Sequence, residues 1–138
     1  MRFSAIVLLL STSAPAQSQT AGFYKEPLER ISSEIGQNID RAARMSADER
    51  LHAIDMRFAI YDASQVLDRV ENYAERKNAS LADGGSKPDR DLIYAASIAV
   101  QLQAAQEMLG NYLDVGDKVL LDSARTSFKL AEELTARR

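Results

Sequence analysis

The chain of 138 residues contains no cysteine, no tryptophan and a single histidine, His52. The lack of cysteine excludes disulfides and thiolate nucleophiles, so the stability of the protein must come from a packed core. A hydroxyl nucleophile needs a histidine base within reach. No serine stands beside His52, and Ser64 lies about three helical turns further along the chain. We therefore assign no catalytic residue, and an enzyme remains only an alternative interpretation.

Proline and glycine are also scarce, at three and six residues. Apolar residues recur at helical spacing, and no segment alternates as a strand would. The glycine-rich stretch 83–89, DGGSKPD, has neither the length nor the preceding strand of a phosphate-binding loop. The pattern predicts an all-α fold, an antiparallel four-helix bundle over residues 26–138. Its helices are expected at about 26–44, 46–77, 88–114 and 118–136.

Charge of one sign is not concentrated anywhere in the sequence. The 17 basic and 20 acidic side chains give a net charge of −3, and their signs alternate along the helices, as in 68–77, DRVENYAERK. A nucleic-acid partner needs a clustered positive surface. We therefore expect no nucleic-acid binding.

The longest apolar run is short and lies at the N-terminus. Arg2 precedes an apolar stretch over residues 3–10, and Ala14-Pro15-Ala16 follows with the small-residue pattern of a cleavage site. A membrane-spanning helix needs roughly 20 apolar residues, so the alternative to a signal peptide is a buried N-terminal helix. We predict a signal peptide over 1–16, a disordered mature N-terminus over 17–25, and a periplasmic or secreted protein without a membrane anchor.

The second predicted helix has two apolar faces, which is one more than a bundle helix needs. The first face, called here the short stripe, consists of Leu51, Ile54, Phe58 and Tyr61. The second face, called the heptad stripe, has alternating spacings of three and four residues and consists of Ala53, Met56, Ile60, Ala63, Leu67, Val70 and Ala74.

Two interpretations explain the additional face. A long helix can contact different neighbours at different heights, or one stripe can receive a partner helix. The sequence favours the heptad stripe for that second role, because its small residues allow close approach and its length sets a register. The predicted partner is a second copy of the chain or another envelope or secreted protein. The predicted contact residues are Met56, Ile60, Ala63, Leu67 and Val70.

The third predicted helix has no charged residue between Leu92 and Gln106, which is typical of a buried helix. An alternative function is a small all-α enzyme or a carrier of a small molecule. Its pocket is then expected between the second and third helices. Polar side chains available to line it are Arg57, Arg69, Arg90, Gln101 and Gln103.

The segment 49–56, ERLHAIDM, has the E-x-x-H spacing of di-iron bundle proteins. A di-iron site needs two such pairs, and this chain has one histidine. Glu49 also completes a capping box with Ser46, which explains its position without a metal. His52 and Met56 lie one turn apart on one helix, so they cannot bind opposite faces of a haem iron. We expect no metal and no cofactor, and interpret the segment as an ordinary helical turn.

Overall fold

The structure, a computed structural model, describes residues 13–137 and the side chains of residues 24–137. Every regular element in that part of the chain is a helix, which confirms the predicted all-α class. None of the described helices is long and apolar enough to cross a bilayer. The helices are α1 (Ser13–Ala43), α2 (Ala47–Leu51), α3 (Ile54–Asp83), α4 (Arg90–Val115) and α5 (Lys118–Arg137).

Helix α4 is the central element, because it packs against each of the other four helices. Ten of its side chains are buried, and seven of these lie in the uncharged stretch from Leu92 to Gln106. The helix begins two residues later than predicted, since the Asp89 carboxylate accepts a hydrogen bond from the amide of Asp91 at 2.9 Å and so caps the helix. It ends at Gly116, whose positive φ of 78° is the left-handed conformation that glycine adopts without strain.

Helices α3 and α4 run antiparallel. Hydrogen bonds join positions whose numbers rise along α3 and fall along α4, as an antiparallel pair requires. These contacts are Arg57 to Asp114, Gln106 to the carbonyl of Ile60, Gln103 to the carbonyl of Ser64, and the Asp89 amide to the side chain of Asn78.

The second predicted helix is divided into α2 and α3, so the prediction of one continuous helix over 46–77 is wrong. The capping box that begins it is present: Ser46 Oγ accepts from the amide of Glu49 at 3.2 Å, and the amide of Ser46 donates to Glu49 Oε1 at 2.8 Å. Helix α2 ends after five residues, because Ala53 with ψ of 59° leaves the helical conformation.

Helix α3 continues to Asp83, into the segment 78–87 that the sequence predicts to be a loop. Residues 78–82 contain no proline or glycine, so nothing in them prevents helical hydrogen bonding. The helix stops at Gly84 and Gly85, the second of which has a φ of 79°.

Helix α1 is longer than predicted, because it begins at Ser13 and includes residues 17–25, which the sequence predicts to be disordered. Pro15 lies in its first turn, where the missing amide proton has no intrahelical partner. Residues 1–12, which hold most of the predicted signal peptide, lie outside the described part. One face of α1 is buried and consists of Tyr24, Leu28, Ile31, Ile35, Ile39 and Ala42.

Candidate binding surfaces

The heptad stripe belongs to the core of the chain itself. Leu67 has no exposed surface, and Met56 is 2% exposed. The stripe faces α4, where Gln106 reaches across to the backbone of Ile60. The predicted partner surface is therefore corrected, because its side chains pack within the folded chain. Four of them are buried and Ile60 is half-buried: Met56, Ile60, Ala63, Leu67 and Val70.

The short stripe lies on the outside of the molecule. All four of its side chains are more than half exposed, and Phe58 is 65% exposed. A shallow groove of about 380 Å³ is lined by three of them, Ile54, Phe58 and Tyr61, and by the side chain of Arg57. The stripe is divided by the break between α2 and α3, since Leu51 belongs to α2 and the other three residues belong to α3.

Exposed apolar side chains are concentrated at this end of the molecule. The structure exposes ten large apolar side chains in its described part, and six of them are more than half exposed. Besides the short stripe, the six include Val115 and Val119, which flank the turn between α4 and α5. We call these six residues the apolar end patch: Leu51, Ile54, Phe58, Tyr61, Val115 and Val119.

Two arginines hold this end together. Arg57 donates to Asp114 Oδ1 at 2.9 Å and to the carbonyl of Arg50 at 2.9 Å, so it joins the start of α3 to both α4 and α2. The guanidinium of Arg50 lies over the ring of Tyr112, 5.3 Å from its centroid. Helix α2 has no buried residue of its own. Its position therefore depends on these two arginines.

The predicted pocket between the second and third helices, which are α3 and α4 in the structure, is not formed by the predicted residues. Gln103 donates to the carbonyl of Ser64 and so closes the interface between the two helices. Arg57 is paired with Asp114, and Arg90 lies 5.7 Å from the ring centroid of Tyr94. Gln101 is half-buried on α4 and lines none of the described grooves.

A larger groove of about 570 Å³ lies between α1 and α3 instead. We call it the α1–α3 groove. Arg69 is the one residue of the predicted pocket that lines it. The sequence does not indicate this groove, because its α1 side begins within the segment predicted to be disordered. The lining residues are Tyr24, Pro27, Val66, Arg69, Val70, Asn72, Tyr73, Glu75 and Arg76.

Two groups on the helices of the α1–α3 groove have shifted pKa values, Tyr24 on α1 and Glu71 on α3. Burial, with a smaller effect of the nearby Tyr73, raises the pKa of the Tyr24 hydroxyl to about 12. Burial also raises the pKa of Glu71, and the neighbouring carboxylates of Glu75 and Asp68 add to this shift. Tyr24 therefore stays protonated and neutral across the physiological range.

His52 is an exposed residue at the C-terminal end of α2. Its Nδ1 lies 2.9 Å from the carbonyl oxygen of Asp48, and Glu49 is engaged in the capping box. Within residues 13–137, no group of three or more histidine, aspartate or glutamate side chains is arranged to hold a metal ion. The E-x-x-H spacing therefore accompanies a local turn and a helix cap.

These observations define a small all-helical protein with exposed apolar side chains at one end and several open grooves, of which the α1–α3 groove is one. Comparison with known protein families, with curated proteins and with solved structures finds no significant match to this chain.

Proposed function

We propose that this is an exported helical-bundle protein, periplasmic or secreted, that binds another protein through the apolar end patch. The exposure of the short stripe carries the proposal. Ile54, Phe58 and Tyr61 have the spacing of anchor residues on a helix that docks into an apolar groove. Burying one such side chain fully contributes about 1.5–3 kcal/mol. A partner that covers several of them gains several kcal/mol from burial, which offsets the cost of association.

The charges around the patch favour a partner other than a second copy. Three acidic residues, Asp55, Asp62 and Asp117, are exposed beside it, against one exposed lysine, Lys118, and the guanidinium of Arg57 is already paired with Asp114. A symmetric dimer on this surface brings two acidic rims together, and opposed like charges are unfavourable. We therefore propose a partner with an apolar surface and a basic rim.

The export part of the proposal is compatible with the core. Cleavage after Ala16 keeps every described buried residue, because the first of them is Tyr24. We expect the chain, when expressed in full, to be recovered from the periplasm or medium with Gln17 as its first residue. Mass spectrometry of the purified protein identifies its first residue. The prediction is contradicted if all of the protein, whether exported or retained in the cell, still begins at Met1.

A photo-crosslinking residue at position 61 tests the binding surface. In cells of the natural host, we expect one discrete adduct with a second protein, and the same label at Lys129 on α5 is the matched exposed control. Phe58→Ser is expected to reduce the adduct at least fivefold without changing the circular dichroism spectrum, because Phe58 is 65% exposed.

Three other outcomes contradict parts of this proposal. An adduct of twice the monomer mass assigns the patch to self-association, and the argument from charge is then wrong. Equal adducts at positions 61 and 129 indicate contact without specificity. The absence of any adduct at position 61 refutes binding at the patch.

A further inference from the structure

The α1–α3 groove has the dimensions of a site for a small ligand. Its volume of about 570 Å³ lies within the range of roughly 300–1,000 Å³ that is usual for ligand pockets. Along α3 its lining extends from Val66 to Arg76, which corresponds to about 15 Å at 1.5 Å per residue. The groove is therefore elongated and suits an extended chain.

Two arginines on one face of α3 line the groove. Arg69 and Arg76 are seven residues apart, so they point in the same direction two turns from each other. Neither guanidinium forms an ion pair or a hydrogen bond with any other described residue. Glu75 is the one carboxylate in the lining, so the lining residues carry a net positive charge, with Asp68 and Glu71 outside it on the same helix. This balance suits a ligand with a single negative charge.

The remaining lining is largely apolar. Tyr24 and Val70 are buried below the groove, and Val66 and Pro27 are half-buried beside them. The rings of Tyr24 and Tyr73 are 5.4 Å apart between centroids and inclined at 59°. A tyrosine hydroxyl is neutral near pH 7, and burial raises the pKa of Tyr24 further, so Tyr24 adds no negative charge to repel an anion.

We propose that the α1–α3 groove binds an elongated amphiphilic carboxylate, with its apolar chain along the tyrosines and its carboxylate on Arg69 or Arg76. A guanidinium matches a carboxylate through two parallel hydrogen bonds, which gives the charged end a fixed position. The site is separate from the apolar end patch, since Arg69 is eleven residues beyond Phe58 along α3. It does not depend on the proposed protein partner.

Calorimetric titration of the purified chain with four probes tests the ligand chemistry. The probes are decanoate, decanol, the decyltrimethylammonium ion and acetate, each below its micelle concentration where it has one. We expect decanoate to bind one molecule per chain, at least tenfold more tightly than decanol, with no measurable binding of the cation or of acetate. Equal affinity for decanoate and decanol overturns the assignment of the arginines, and equal affinity for decanoate and acetate overturns that of the apolar wall.

Matched variants locate the site. Arg69→Gln or Arg76→Gln, whichever removes the guanidinium that holds the carboxylate, is expected to weaken decanoate binding about tenfold and to leave decanol binding unchanged. Arg125→Gln removes an exposed arginine of α5 outside the groove and is expected to change neither. Phe58→Ser is the control for the apolar end patch and is also expected to change neither.

Two results overturn the location. The location is wrong if the double variant, with both arginines replaced by glutamine, binds decanoate as tightly as the unaltered chain. It is also wrong if Phe58→Ser abolishes decanoate binding. Because the altered side chains are exposed, we expect all variants to retain the fold. Thermal unfolding of each variant verifies this before titration.

Discussion

Replacement of Leu67 by alanine is expected to lower the free energy of unfolding by about 3 kcal/mol. Leu67 is fully buried in the middle of the heptad stripe, so the shorter side chain leaves a cavity between α3 and its neighbours. Leu67→Glu is expected to unfold the chain, because it buries a carboxylate without a partner. Urea denaturation followed by circular dichroism measures the free energy of unfolding of the alanine variant.

Phe58→Ala on the same helix is the matched control. It removes a larger apolar side chain, but one that is 65% exposed, and the expected change is within about 0.5 kcal/mol. If Phe58→Ala costs more than Leu67→Ala, the roles that the structure gives to the two stripes are reversed. The comparison therefore decides which face of α3 belongs to the core.

Replacement of Gln106 by glutamate is expected to destabilise the fold by more than about 3 kcal/mol at pH 7. Gln106 is 2% exposed, and its Nε2 donates to the carbonyl of Ile60 at 3.2 Å. A carboxylate has no proton for this acceptor, so the variant loses the hydrogen bond and buries a charge. In the unaltered chain, Oε1 of Gln106 has no hydrogen-bond partner among the described residues.

The loss caused by Gln106→Glu is expected to depend on pH. Burial raises the pKa of such a carboxyl in the folded state above its value in the unfolded chain. The folded state then binds the proton more tightly than the unfolded state does. The full loss of stability is therefore present above the pKa of the folded state, and it shrinks as the pH falls toward the pKa of the unfolded state. Unfolding measurements at pH 7 and pH 5 are expected to show a smaller penalty at pH 5.

Gln106→Leu separates the effect of the charge from that of the hydrogen bond. The carbonyl of Ile60 keeps its bond within α3, so the apolar variant leaves no unpaired acceptor and its cost is expected to be within about 1 kcal/mol. A glutamate variant as stable as the leucine variant at pH 7 contradicts the buried position of this side chain.

The features that the sequence predicts are those determined by neighbours along the chain. Helical periodicity gives the all-α class, and the spacing from Ser46 to Glu49 gives the capping box that the structure contains. The uncharged stretch from Leu92 to Gln106 predicts a buried helix because no face of it carries a charge, and α4 is the central helix. Each of these inferences needs only residues within a few turns of one another.

The features that the sequence does not predict depend on distant contacts. Both stripes of the second predicted helix are apolar, and only contacts with other helices decide which stripe is buried. One such contact is the hydrogen bond from Gln106 of α4 to the carbonyl of Ile60. The heptad spacing indicates helix packing, and the helix that it packs against is α4 of the same chain. The α1–α3 groove depends on Tyr24, which continues the buried face of α1 one turn before Leu28. That spacing was a readable signal for the additional turn of α1.

The absence of buried side chains in α2 has an energetic consequence. Detaching this five-residue segment uncovers little apolar surface, so its local opening costs much less than global unfolding, and its amides exchange with solvent correspondingly early. Leu51 moves with this segment, whereas Ile54 and Phe58 are fixed on α3. The proposed partner would thus meet fixed apolar side chains on α3 and one movable side chain, Leu51, beside them.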